Sequence, residues 1–185
     1  DQAFNRINFH ADFDTTHRYD GPLLERELEA QVSAQGPKQS NLRLHGLVRD
    51  RYWKGRMCDE HYVDANANFR PNGRLQVGIY VQAGTLLDLA ASKTGQRTMV
   101  ELYGNTSIGR GIAMDWDIIR QQMKRDGGTA FEATVANIGG SWQFDPRQRL
   151  RLTLQGSEVT RDPALYLQPV NETARDWAAQ AVYSY

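Results

Sequence analysis

The chain has 185 residues, 22 of them basic and 22 acidic, so its formal net charge is zero; a nucleic-acid-binding domain, which carries a basic excess, is not expected. Its single cysteine, Cys58, excludes an internal disulfide framework and a cysteine-rich zinc site. No apolar run approaches the ~18 residues of a membrane helix, which leaves β-barrels open because their strands are only half apolar.

From Phe4 to Asp14, Ile7, Phe9, Ala11 and Phe13 share one face and Asn8, His10, Asp12 and Asp14 the other. That is the period-two pattern of a strand with one apolar face. After the polar stretch THRYDGP, the even positions of Leu24–Ala34 are apolar apart from Arg26, while Glu25, Glu27, Glu29, Gln31 and Ser33 are polar. LLERELEAQV is rich in helix formers, but phased alternation ending at Gly36-Pro37 favours a strand. The return strand, Leu42–Tyr52, sets Leu42, Leu44, Gly46 and Val48 against Arg43, His45, Arg49 and Arg51. WKGRMCDE reads as a polar connection, and His61–Phe69 as the next strand, with Val63, Ala65 and Ala67 opposed to Tyr62, Asp64, Asn66 and Asn68.

The clearest stretch is FRPNGRLQVGIYVQA, residues 69–83, in which a turn at Arg70-Pro71-Asn72-Gly73 opens onto Leu75, Val77, Ile79, Val81 and Ala83. Asn and Gly both tolerate positive φ, which suits the turn. GTLLDLAASKTGQ reads as a long connection carrying one helical turn. Thr98–Ile108 and Ile112–Ile118 form strands around Gly109-Arg110-Gly111, and KRDGGT is a loop. Ala136–Phe144 and Leu150–Gly156 flank the tight turn Asp145-Pro146-Arg147-Gln148. RDPALYLQPVNETARD is a long polar connection to a final run in which Trp177, Ala179, Ala181, Tyr183 and Tyr185 share a face.

About ten strands of roughly 10–13 residues emerge, where soluble proteins use ~5–6 and a membrane-spanning strand needs ~9–11. Short connections alternate with longer ones, and Phe13, Tyr52, Phe69, Trp142, Phe144 and Trp177 stand near strand ends; outer-membrane barrels have both features. The expected fold is all-β, an antiparallel up-and-down meander of about ten long strands forming part of an outer-membrane β-barrel. Residues 1–185 are expected to be one barrel segment of a longer protein, since the chain starts at Asp1 and its strand pattern runs into Tyr185.

HRYDGPLLERELEA, FRPNGRLQVGIYVQAG, WQFDPRQRLRLTLQ, RDPALYLQPV and the closing VYSY resemble the C-terminal region of an uncharacterised family of bacterial outer-membrane proteins. Its members carry an N-terminal domain similar to carbohydrate-binding module family 9, followed by a β-barrel. The resemblance implies a Gram-negative outer membrane, an upstream sugar-binding-like domain outside this sequence, and glycan-related binding or transport. It implies no catalytic residues.

If Leu24–Ala34 pairs with Leu42–Tyr52, parity brings Glu25 opposite Arg51 and Glu27 opposite Arg49, or the same set shifted by two, with Glu29 beside them. Such a ladder reads as charge compensation in a lumen wall, each pair contributing ~0.2–1 kcal/mol, with an ion-selective wall as the functional alternative. Glu101, Asp115 and Asp117 fall on the same polar face, as a solvated lumen requires, although paired carboxylates also serve acid–base catalysis. His10, His17, His45 and His61 lack metal-ligand spacing, and no cofactor is expected. Cys58, read as a loop residue next to Asp59 and Glu60, lacks an electropositive setting. Trp53 with Arg56, and Tyr166 with Arg161, put aromatics among polar groups in connections, where they contact a glycan or pack on a neighbouring loop. The expected partners are the outer-membrane lipid bilayer and a glycan or small solute, with no nucleic acid. The rival functions are a porin-like transporter, a soluble carbohydrate-binding β-sandwich and a membrane-embedded hydrolase.

Overall fold

A computed structural model describes residues 4–19 and 21–185. They form one antiparallel sheet of ten strands in strict sequence order. The strands are β1 (Arg6–His17), β2 (Leu23–Gly36), β3 (Ser40–Trp53), β4 (Arg56–Asn72), β5 (Leu75–Asp88), β6 (Lys93–Ile108), β7 (Ile112–Arg125), β8 (Gly128–Gln143), β9 (Arg149–Arg161) and β10 (Thr173–Ser184). The sheet does not close: among the described residues β1 and β10 each pair on one side only.

Alternation sorts the sheet into two faces. On one, Phe9, Val32, Leu44, Ala65, Val81 and Val100 follow one another across six strands, and Gly104, Trp116, Ile138, Leu154 and Ala179 across five more positions. This apolar face is the exposed one: Phe9 is 83%, Val63 64% and Leu154 53% accessible. The opposite face is polar yet crowded, with Glu60 and Asp64 almost wholly buried. A water-soluble fold has the reverse arrangement, and a soluble two-layer sandwich needs a second apolar sheet that the chain does not supply among its described residues.

The hairpins at one end are tight. Asn72 Oδ1 accepts from the backbone N–H groups of Arg74 and Leu75 (2.9 and 3.0 Å), so β4 runs on to Asn72 and the turn is only Gly73-Arg74. Asp145 Oδ1 does the same for Arg147 and Gln148 (2.8 and 2.9 Å). These side chains satisfy turn donors that no strand reaches. Along the sheet, register is pinned by aromatic rings lying over glycines of the next strand, Tyr103 over Gly78 and Trp116 over Gly104, where a Cβ would collide with the ring.

At the other end the structure departs from the sequence reading. RYWKGRMCDE is not a connection: β3 continues to Trp53, the turn is Lys54-Gly55, and β4 begins at Arg56. GTLLDLAASKTGQ contains only the turn 89–92, without a helix, and KRDGGT only Asp126-Gly127. The long loops expected there are strand, apart from residues 18–22, of which Asp20 lies outside the described residues, and the connection 162–172. The reason is on the apolar face. Beyond Val48, Val63, Ala83 and Gly156 the next residue on that face is polar (Asp50, His61, Thr85, Glu158), so alternation of character is interrupted while the backbone ladder goes on.

Candidate functional site: the polar face and its rim

The polar face of β2–β4 is an ordered charge lattice. The register sets Glu25 opposite Arg51 and Glu27 opposite Arg49, the unshifted set of the parity argument. Arg51 Nε lies 3.5 Å from Glu25, and Arg49 Nη1 3.3 Å from Glu27. Arg49 also donates through Nε and Nη2 to Glu60 Oε2 (3.0 and 2.7 Å). Glu29 stands opposite Leu47, not an arginine, and its carboxylate meets His45 Nε2 at 3.2 Å. His45 Nδ1 lies 2.8 Å from Asp64, which also accepts from Arg43 at 3.0 Å. Each carboxylate of this lattice therefore has a cationic or imidazole partner, as charges removed from water require.

Glu60 was missed by the sequence reading because it fell in the supposed connection. The signal was present: Cys58, Glu60, Tyr62 and Asp64 continue one parity. Cys58 is therefore a β4 residue, 4% exposed, and not a loop thiol. Glu60 also accepts from the backbone N–H of Leu87 (2.9 Å), fastening β4 to β5.

Further along, the polar face changes chemistry. Asn66 and Tyr103 hydrogen-bond across β5 (3.0 Å), Asn68 donates to Asn66 (3.3 Å), Gln82 to Tyr80 (3.1 Å), and Asn137 to Asp117 (3.3 Å). Glu101 faces Ile119 and Asp117 faces Tyr103 in the register. Amides, phenols and carboxylates gather here, groups that both donate and accept hydrogen bonds and so suit contact with a polar solute.

The outward face has its own polar belt where the apolar band ends. Arg26 is ion-paired with Asp50, Arg120 with Glu132 (3.7 Å) and Arg175 with Glu158 (2.6 Å). Between them His61 Nε2 and Thr85 Oγ1 meet at 3.2 Å, and Gln96 donates to Thr85 at 2.8 Å. The band below this belt spans Leu75–Ala83 on β5, roughly 20–25 Å when such strands tilt by ~40°.

The four residues singled out in connections are engaged with neighbouring turns. Trp53 and Arg56 are strand ends; Trp53 Nε1 donates to Ser92 Oγ (3.3 Å) and Arg56 donates to the Ser92 carbonyl. Arg161 ends β9, its N–H bonded to the Glu172 carbonyl (2.7 Å). Tyr166 alone lies in a long connection, its ring stacked on Arg125 with the guanidinium carbon 4.7 Å from its centre.

Comparison with protein-family models and with curated proteins finds no match. Among solved structures, OmpT (in-vitro folded), an outer membrane protein of Vibrio cholerae, is similar with a TM-score of 0.59 at 11% identity. The likeness covers 95% of this chain and 60% of that one, so the chain spans well under the full length of its structural neighbour. With ten long strands, sequential antiparallel pairing and an exposed apolar face, the chain has the fold of part of an outer-membrane β-barrel.

Proposed function

We propose that the chain forms a wall of a non-enzymatic barrel in the outer membrane of a Gram-negative bacterium, its apolar face against lipid and its polar face lining a hydrated lumen. One observation carries the reading: the apolar face is exposed while the charges of the polar face are matched and crowded together. In hydrocarbon, backbone groups left unpaired cost several kcal/mol each. On this reading the free edges of β1 and β10 are paired by further strands, and residues 1–185 are one segment of a larger closed barrel.

For the lumen we favour binding or passage of a polyhydroxylated solute. Asn66, Asn68, Tyr80, Tyr103 and Asn137 supply amide and phenol groups that match sugar hydroxyls without selecting a charge. A sugar-binding-like domain upstream, as the family resemblance implies, fits the same glycan-related role. The test is single-channel recording of the full-length protein in planar bilayers, with and without a neutral oligosaccharide. Stepwise conductance interrupted by the sugar, and reduced interruption in Asn66→Ala/Tyr103→Phe, is the expected result. A silent bilayer with sugar binding retained makes the barrel a plugged receptor; silence without binding removes the solute role.

A further inference from the structure

The connections at the rim opposite the tight hairpins are fastened to one another by side chains. Trp53 and Arg56 hold Ser92, Lys93 Nζ meets Asp126 at 2.9 Å, and Asp88 is ion-paired with Arg125. Arg125 and Asp88 lie on the polar face, their side chains only 2% and 7% exposed. Asp88 also caps the turn after β5, accepting from Ala90 and Ala91 (3.0 and 3.3 Å).

What Arg125 holds is the connection 162–172. Its Nη2 donates to the Leu165 carbonyl (2.7 Å) and its plane stacks on Tyr166. Asp162 N–H donates to the Ala130 carbonyl (3.1 Å), Tyr166 Oη reaches the same oxygen (3.4 Å), and Leu165 packs on Gly128. A connection of this length is ordinarily among the least stable parts of a fold. Here it bends back onto the polar face and is pinned by a guanidinium used on three sides: one edge to a carboxylate, one to a carbonyl, and its face to a ring. A lysine ammonium has no plane to stack and no fork to divide between two acceptors.

We propose that the β9–β10 connection is a fixed strap across the lumen side of this rim, latched by the buried Arg125–Asp88 pair, and that it narrows the mouth of the barrel. The attachment of the strap stands on its contacts alone; that it narrows the mouth of a barrel rests on the reading of the polar face as a lumen wall given above.

The experiment uses the full-length protein refolded in detergent, with chymotrypsin as probe of the bonds around Leu165–Leu167. The wild type is expected to resist cleavage there. Arg125→Lys, still folded by its heat-dependent migration, is expected to be cut about a hundredfold faster, because cleavage follows the open population and lysine, though it keeps a charge beside Asp88, loses the stacking on Tyr166 and the second edge that holds the Leu165 carbonyl. A second variant leaves the latch intact: Gly128→Cys with Leu165→Cys in a Cys58→Ala background, since a Cβ at Gly128 lies 3.2 Å from the Leu165 side chain. Near-complete disulfide formation supports the strap. The proposal is overturned if the wild-type connection is cut as fast as the Arg125→Lys one, or if the two introduced thiols fail to cross-link in the folded barrel.

Discussion

Arg49 and Arg51 are two residues apart on one face and do different things. Arg49 serves Glu27 and Glu60, and the Glu60 side chain is only 3% exposed, whereas Arg51 and Glu25 are 40% and 33% exposed. Arg49→Ala strands a buried carboxylate and should cost ~3–5 kcal/mol. Arg51→Ala removes a half-solvated pair and should cost ~0.2–1 kcal/mol. Urea unfolding in detergent measures both, and equal costs would mean that the lattice has no buried centre. Tyr166 provides a pH test. Burial, with the Asp88 carboxylate next in effect, raises its phenol above the ordinary value of 10.0. The folded strap thus favours the neutral phenol, so nothing changes below ~pH 10 and strap stability falls as pH rises through the raised value. Tyr166→Phe keeps the ring over Arg125 and should abolish the alkaline increase in chymotrypsin cleavage. The Arg49 and Arg51 pairings were legible in the sequence because parity and one turn decide them. Asp88 and Arg125 were not, since they meet only through the register of two intervening hairpins.

At the scale of elements, legibility followed the apolar band. Where a strand crosses it, Leu150, Leu152 and Leu154 against Arg149, Arg151 and Thr153 declare a strand at once. At the belt the outer face turns polar at Asp50, His61, Thr85 and Gln96, so the alternation that would mark the continuation of β3, β4, β5 and β6 as strand is interrupted there. Turn chemistry held a signal the reading passed over: Lys54-Gly55 and Asp126-Gly127 close two-residue turns with both residues at positive φ, and Asp-Gly is the dipeptide such hairpins favour. Two outcomes follow. Leu152, 50% exposed within the band, becomes a charge in hydrocarbon in Leu152→Arg, costing ~2–4 kcal/mol near the midplane by unfolding from lipid vesicles. Cys58, read from the sequence as a loop residue, is buried in β4 beside Arg51. An impermeant maleimide should therefore modify it only after unfolding, and fast labelling of the folded protein would return this segment to a loop.

For the whole molecule, the division into an apolar and a polar face was readable from alternation alone, because side chains of a strand point to opposite faces in turn. The molecule also fixes depth. The outer face holds Trp142 near the tight hairpins, Trp116 midway through the apolar band of β7, and Trp177 opposite Gly156, just before the Glu158–Arg175 pair of the belt. Trp53 stands beyond the belt at the rim, tied to Ser92. If the band between hairpins and belt is the hydrocarbon layer, ~25 Å tall in such barrels, these four indoles sample four depths. Variants of the full-length protein retaining one of them, the others replaced by Phe, report depth through quenching by lipids brominated at known carbons. Trp116 should be quenched most by bromine near the acyl-chain ends. Trp142 and Trp177 should respond most to bromine close to the headgroups, from opposite leaflets, and Trp53 to none. Strong quenching of Trp53 would place the rim in the bilayer and move the belt to its interior, where its three acidic and basic pairs could not be tolerated; equal, weak quenching of all four would take the apolar face out of lipid altogether.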